Sequence, residues 1–183
     1  MSTVKKSMIT AINIALCVVL PMAFHAIENG GRIFSPMHIP VLLCGLICGW
    51  PYGLLTGIAG PLLSSLFTGM PPMAILPQMM VELATYGVVA GLMMEYVHTG
   101  KVFADLYISL ITALIAGRVV AGLTGALIFS RGSITMASWV TSYFVTAFPG
   151  IVLHLAVIPP IVYMLMKANL IPNRYPSQNI AAE

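Results

Sequence analysis

The stretch LPQMMVELATYGVVAGLMMEYV, residues 76–97, determines how this chain has to fold. It is apolar along most of its length, and it is long enough to cross a bilayer as a helix, which takes roughly 20 residues. Glu82 lies inside this stretch, and Arg118 lies inside another apolar stretch further along the chain. An ionisable residue inside a membrane span is energetically expensive, so by default it marks a functional site.

The composition of the whole chain is that of a membrane protein. Of the 183 residues, 59% are apolar and only 7% are Asp, Glu, Lys or Arg, whereas about one quarter of a soluble domain is charged. The mean hydropathy of +0.98 excludes an ordinary cytosolic protein. The net charge of +3 comes from scattered cations, so it does not indicate a nucleic-acid-binding surface.

Turn-forming residues divide the chain into apolar segments that predict six transmembrane helices in a single membrane domain, residues 1–183. The predicted helices span residues 8–27, 36–50, 52–68, 76–97, 105–129 and 137–170. The last segment is too long for one straight span, so we expect Pro149 and the Pro159–Pro160 pair to kink or shorten it. A β-barrel is excluded because the apolar runs are continuous rather than alternating. The predicted fold class is therefore an all-α integral membrane bundle.

Six crossings place both chain termini on one side of the membrane, and most of the basic residues fall on that side. These residues are Lys5, Lys6, Lys101, Lys167 and Arg174. The positive-inside rule then puts both termini in the cytoplasm. We expect the first apolar segment to remain as a transmembrane helix, because no cleavage site precedes a polar domain.

Polar residues recur on one face of the fourth predicted helix. Gln78, Glu82 and Tyr86 are spaced four apart, and this spacing brings them to the same side of a helix. Arg118 falls near the middle of the fifth predicted helix, the antiparallel neighbour of the fourth. Two readings remain open: Glu82 and Arg118 form an internal salt bridge, or they hold a polar small molecule. Both readings are correct if the salt bridge forms only when no ligand is bound.

Two further residues are candidates to line a cavity that opens outward. His38 begins the second predicted helix, and Trp139 lies at the outer end of the last one, where it either anchors the helix at the interface or stacks on a flat ligand. No pair of histidines has the spacing of a helical metal site, so no metal is expected. The three cysteines lie in apolar segments and are interpreted as small buried hydrophobic residues.

Small residues recur every fourth position in three predicted helices. In the third and fifth helices this spacing predicts close packing within the bundle, because small side chains let helix backbones approach each other. The positions are Gly53, Gly57, Ser65 and Gly69 in the third helix, and Ala113, Gly117, Ala121 and Gly125 in the fifth. Ala11 and Ala15 belong to the terminal first helix, where we expect a second subunit to dock.

The order of these segments resembles a known family. The resemblance rests on three consecutive elements: AINIA at residues 11–15, MHIPVLLCGLICG at residues 37–49, and YGLLTGIAGPLLSS at residues 52–65. This pattern is similar to that of the substrate-binding S component of an energy-coupling factor (ECF) vitamin transporter, an ABC importer. The likeness extends over most of residues 8–170.

The resemblance implies a small six-helix subunit that binds a vitamin or related micronutrient in an outward cavity for uptake into the cell. It also implies a location in the prokaryotic plasma membrane. Ala11 and Ala15 match the family element that contacts a transmembrane coupling subunit, which is linked to two cytoplasmic ATPase subunits. The chain has no GxxxxGK[ST] phosphate loop, so the partner subunits are expected to use the ATP, and no cofactor is expected here.

The expected substrate-binding residues are Glu82, Arg118, Gln78, Tyr86, His38 and Trp139. Arg118 suits a carboxylate or phosphate on the ligand, and Glu82 suits a ligand rich in hydrogen-bond donors. One alternative is a self-sufficient secondary transporter in which Glu82 carries a proton, but no inverted repeat is evident. A second alternative is an intramembrane enzyme, which would require a nucleophile with an adjacent base, and none is found.

Overall fold

The computed structural model describes residues 1–24, 30–129 and 135–175, and these residues form helices without a β-strand. The all-α class is therefore confirmed. The helices are α1 (Thr3–Phe24), α2 (Gly30–Phe34), α3 (His38–Cys48), α4 (Trp50–Thr68), α5 (Leu76–Tyr96), α6 (Val102–Thr124), α7 (Met136–Val140) and α8 (Phe148–Lys167). Wider π-helical turns follow α6 at Gly125–Phe129 and α7 at Thr141–Thr146.

Four of the described helices are long and apolar enough to cross a bilayer. They are α1, α5, α6 with its continuation to Ile128, and α8. The second predicted span, residues 36–50, is represented by α3, which has only 11 residues. The third, α4, has 19 residues, but Gly, Pro and Ser lower its hydropathy. Length and composition thus identify four spans rather than the six expected.

The segment of residues 137–170, which we expected its prolines to kink or shorten, is divided just before Pro149. The π-helical turn Thr141–Thr146 follows α7, and α8 begins only at Phe148. Pro149 lies in the first turn of α8, where a proline is tolerated because its missing N–H would have no helical partner. The Pro159–Pro160 pair lies inside α8 and does not end it.

Helix α5 packs against α3, α4 and α6, and glycines allow the closest approaches. A Cβ atom at Gly87 would overlap the backbone of Gly53, and one at Gly57 would lie 2.6 Å from backbone atoms of Leu83. Three of the predicted small residues on α6, Ala113, Gly117 and Ala121, are buried, and so is Gly125 at the start of the π-helical turn that follows. Packing within the bundle, as predicted for these two helices, is therefore confirmed at these positions. The prediction is wrong for Gly69, which is exposed just after α4 and where a Cβ atom would meet no atom within 4 Å.

The two ends of the bundle differ in chemistry. At one end the Lys6 ammonium lies 5.5 Å from the Tyr52 ring centroid, and the Phe103 and Tyr163 rings are 4.8 Å apart. This end holds the start of α1, the end of α8, and the residues Lys6, Lys101, Lys167 and Arg174; we call it the basic end. The opposite end holds the beginnings of α3, α5 and α8, and it carries the polar residues described next.

Candidate functional site

Glu82 is the centre of a polar cluster in the half of the bundle opposite the basic end. The Tyr86 hydroxyl, one helical turn further along α5, donates a 2.7 Å hydrogen bond to Glu82 Oε1. The same carboxylate oxygen lies 3.6 Å from Nε2 of His38, the first residue of α3. The side chains of His38 and Glu82 are only 7% and 12% exposed. The carboxylate is thus held by two groups in a largely buried setting.

Two rings contact this carboxylate, those of His38 and Tyr86, and a third ring stacks on His38. The His38 ring lies 5.0 Å from the Tyr86 ring, and it stacks on the His154 ring of α8 with a centroid separation of 5.7 Å. Nε2 of His154 is 3.3 Å from the carbonyl oxygen of Ser35. The Nδ1 atoms of His38 and His154 are buried and have no hydrogen-bond partner in the described part of the chain. A buried polar atom without a partner is costly, so these two nitrogens need a physical explanation beyond packing.

Arg118 is 2% exposed and is the largest of the fully buried side chains. Its Nε donates a 2.8 Å hydrogen bond to the carbonyl oxygen of Tyr143, and its Nη1 donates one of 3.0 Å to that of Leu114. The guanidinium carbon lies 5.8 Å from the Tyr86 ring centroid, within the range of a cation–π interaction. Among the described residues, no ion pair joins Arg118 to Glu82.

Gln78 and Trp139 belong to the same neighbourhood as Arg118. The Gln78 amide donates hydrogen bonds to the Tyr143 hydroxyl (2.9 Å) and to the carbonyl oxygen of Ala121 (3.2 Å). The Trp139 indole N–H donates to the carbonyl oxygen of Arg118 at 3.2 Å. These bonds attach the start of α5 to α6 and to the segment that contains α7.

The structure thus brings the six predicted site residues into two adjoining groups. One comprises Glu82, Tyr86 and His38, and the other comprises Arg118, Gln78 and Trp139. The Tyr86 ring connects them, since its hydroxyl binds Glu82 and its face receives the Arg118 guanidinium. The proposed direct pairing of the two charges is not observed in this arrangement.

Two residues of the site were not among the predicted ones. His154 stacks on His38, and Tyr143 supplies both a carbonyl and a hydroxyl oxygen to the Arg118 group. A histidine inside an apolar segment was the available signal for His154, because a polar group there needs a reason to be buried. For Tyr143 the signal was its position four residues after Trp139, which puts the two aromatic side chains on one side of a helix. Its contacts with the Arg118 group were not predictable, since the π-helical turn that contains it sets its position.

A metal ion is not favoured by the donor set. In the residues described, no group of three or more His, Cys, Asp and Glu side chains is arranged to hold one. The three cysteines, Cys17, Cys44 and Cys48, are unpaired and buried. The cluster instead offers hydrogen-bond donors, acceptors and ring faces, which are the groups that orient an organic ligand.

The two alanines predicted to contact a partner are exposed on α1. Ala11 and Ala15 lie on the face of the helix that also carries exposed large apolar side chains. These are Val4, Met8, Ile12, Val19 and Met22. The opposite face of α1 buries Thr10, Asn13 and Cys17 against the bundle.

Comparison with known protein families identifies the family of this chain. No curated protein matches the chain, but the family model "ECF transporter, substrate-specific component" matches residues 5–162. The match extends from the first turn of α1 into the second half of α8.

Members of this family are multi-pass proteins of the prokaryotic cell membrane and associate with the transmembrane and ATPase subunits of the transporter. They form a family of transport components rather than of enzymes. The chain belongs to the substrate-specific components of ECF transporters.

Proposed function

We propose that this chain captures a vitamin or related micronutrient outside the cell and passes it inward in an ATP-driven uptake cycle powered by its partner subunits. The observation that carries the proposal is the buried polar cluster around Glu82 in a chain of this family. A cluster of this kind has no packing advantage over apolar side chains, because burying polar groups is costly unless each finds a partner.

The proposed orientation places both termini in the cytoplasm after six membrane crossings. The cations at the basic end support it, since cytoplasmic segments carry an excess of Lys and Arg. In this orientation α3 and α4 make the two shorter crossings, and the cluster around Glu82 lies in the outer half of the bundle. A nutrient arriving from the medium then reaches Glu82 and Arg118 without crossing the bilayer.

The proposed ligand is a polar organic molecule with both donors and acceptors. The Glu82 carboxylate accepts hydrogen bonds from its donors, and the Nδ1 atoms of His38 and His154 provide two further polar contacts. Arg118 binds a carboxylate or another oxygen acceptor, because charge-assisted bonds from a guanidinium are the strong ones. The Trp139 indole provides a flat surface at the edge of the site.

The energy for uptake comes from the partners in this proposal. The ATPase subunits hydrolyse ATP, the transmembrane subunit transmits the motion, and this chain contributes no cofactor of its own. Binding and uptake are then separable. The isolated chain binds its ligand, and net accumulation requires the complete transporter.

The test begins with the protein purified alone in detergent. Small molecules that co-purify with it are extracted, identified by mass spectrometry and quantified per mole of protein. We expect Glu82→Gln to lower the retained ligand by about tenfold or more, the loss that follows from removing a charged hydrogen-bond acceptor. Glu95→Gln is the matched control, because Glu95 is an exposed carboxylate at the other end of the same helix.

Two results would contradict the proposal. Equal ligand retention in the Glu82 and Glu95 variants would remove the cluster from substrate binding. Accumulation of the ligand by the purified chain alone in liposomes, driven by a proton gradient, would instead identify a self-sufficient secondary transporter.

A further inference from the structure

A cavity of about 320 Å³ lies at the basic end, on the opposite side of the bundle from the Glu82 cluster. The start of α6, the end of α8 and the segment that follows α8 form its walls. Three cationic side chains line it: Lys101, Lys167 and Arg174. Nothing in the proposed capture of a nutrient uses this cavity.

The wall formed by the C-terminal segment is fixed by a buried carboxylate. Asp105 is 0% exposed, and its Oδ1 accepts hydrogen bonds from the Thr99 hydroxyl (2.6 Å) and the Thr99 N–H (2.8 Å). Its Oδ2 accepts from the Tyr175 hydroxyl (2.7 Å) and from Arg174 Nε. Arg174 also donates to the Val97 carbonyl. The cavity therefore has a defined shape rather than being a gap beside a loose tail.

The charges of the cavity are unbalanced. Arg174 is neutralised by Asp105, whereas Lys101 and Lys167 are exposed and have no carboxylate within 4.0 Å in the described part of the chain. Two ammonium groups directed at one concave surface without a counter-charge provide a binding site for an anion.

Aromatic side chains lie beside these cations, further into the bundle. The rings of Phe103 and Tyr163 contact each other at 4.8 Å, and they are 41% and 36% exposed. Tyr163 precedes Lys167 by one helical turn, so its ring lies about 6 Å deeper along the helix axis. Lysines and aromatic residues at the headgroup level of a bilayer adopt this arrangement, with the cations at the helix end and the exposed rings one turn deeper.

We infer that this cavity binds the phosphate headgroup of an anionic phospholipid from the cytoplasmic leaflet. Lys101 and Lys167 bind the phosphate, and the rings of Phe103 and Tyr163 contact the glycerol backbone and the first methylene groups. Basic pockets between helices on the cytoplasmic side recognise anionic headgroups in this way. A soluble phosphate would use the two lysines but not the rings beneath them. This inference relies on the orientation proposed above, but not on the identity of the nutrient.

The test titrates the delipidated full chain in neutral detergent with phosphatidylglycerol, phosphatidylcholine and glycerol 3-phosphate, and it counts bound molecules by native mass spectrometry. We expect tighter binding of phosphatidylglycerol than of phosphatidylcholine, and an affinity about tenfold lower in Lys101→Gln/Lys167→Gln. The control Lys5→Gln/Lys6→Gln removes the same charge from the same end, outside the cavity, and should change the affinity less than twofold.

Three results would overturn the inference. Equal losses in the two double variants would mean that the affinity comes from diffuse charge. Equal binding of phosphatidylcholine would remove the anionic headgroup from the recognition. Displacement of the lipid by glycerol 3-phosphate at comparable concentrations would identify a site for a soluble phosphate.

A single variant separates binding from folding. Lys167→Gln alone should keep the melting temperature unchanged and lose less lipid affinity than the double variant. The amount of co-purifying nutrient should be the same in all these variants.

Discussion

Arg118 shows how a buried charge is accommodated in this bundle. It has no carboxylate partner among the residues that the structure describes, and it directs two N–H groups at the carbonyl oxygens of Leu114 and Tyr143. Its guanidinium lies near the Tyr86 ring. A guanidinium remains charged in proteins, so these contacts have to compensate for its desolvation. The bond to Tyr143 also attaches the π-helical turn Thr141–Thr146 to α6.

Replacing this arginine is expected to affect both stability and binding. In Arg118→Met, the loss of charge-assisted bonds should lower the free energy of unfolding by about 2 kcal/mol and reduce the co-purifying nutrient by about tenfold or more. Thermal unfolding in detergent and mass spectrometry measure the two effects. Arg118→Lys keeps the charge but loses the planar donor geometry, so its stability and ligand retention should lie between those of the wild type and those of Arg118→Met. Wild-type stability and wild-type ligand retention in Arg118→Met would contradict both roles.

Replacing His154, unlike replacing Arg118, is expected to affect ligand binding but not stability. His154→Phe retains a ring to stack on His38 and removes the unpartnered Nδ1, but it also removes the Nε2 contact with the Ser35 carbonyl. The two effects oppose each other, so the free energy of unfolding should change by less than about 1 kcal/mol. The retained ligand should fall about fivefold, the value of one ordinary hydrogen bond. His98→Phe is the control, because His98 lies exposed in the turn between α5 and α6. Unchanged retention in His154→Phe would leave His154 as a packing residue only.

The composition of the cluster could be predicted in part from the sequence. Four-residue spacing placed Gln78, Glu82 and Tyr86 on one face of α5, because helical periodicity is local. The contact between Tyr86 and Arg118 was not readable, since it depends on how α6 is rotated against α5. Gly117 permits it, as its missing Cβ leaves room for the Tyr86 ring.

At the level of the helices, glycines decide how closely the elements approach. The spacing of Gly53 and Gly57 was sufficient to predict a packed face, and the structure places both against α5. The length of the last segment and Pro149 predicted that it would be kinked or shortened, but they did not predict the form of the interruption. A π-helical turn has no residue pattern of its own, and Pro149 is compatible with either a kink or a new first turn.

The contact between α4 and α5 should therefore be sensitive to a single methyl group. In Gly87→Ala the new Cβ meets the backbone of Gly53, which cannot move like a side chain, so we expect a destabilisation of about 3 kcal/mol or more. Gly31→Ala is the matched control, because a Cβ at Gly31 meets no atom within 4 Å. Melting curves of the two variants in detergent measure the difference, and equal curves would contradict the assigned packing.

On the scale of the whole molecule, α1 stands apart from the other long helices. Only 17% of its apolar window is buried, compared with 50% for α6. Its exposed face contains two small residues, Ala11 and Ala15, between large apolar ones. Large exposed side chains suit lipid, but small residues favour contact with another helix, because backbones approach closely where side chains are short.

This face is where we expect the transmembrane partner subunit to dock, and it carries none of the proposed nutrient-binding residues. Ala11→Trp and Ala15→Trp should therefore abolish uptake by the complete transporter while leaving the co-purifying ligand and the melting temperature unchanged. Ala156→Trp is the control, since Ala156 is an exposed small residue in the middle of α8, and it should retain uptake. Co-purification of the partner subunits with each variant identifies the step that is lost. Full uptake in both α1 variants would exclude this face as the docking site, and equal loss in Ala156→Trp would show that a bulky ring anywhere on the lipid-facing surface blocks transport.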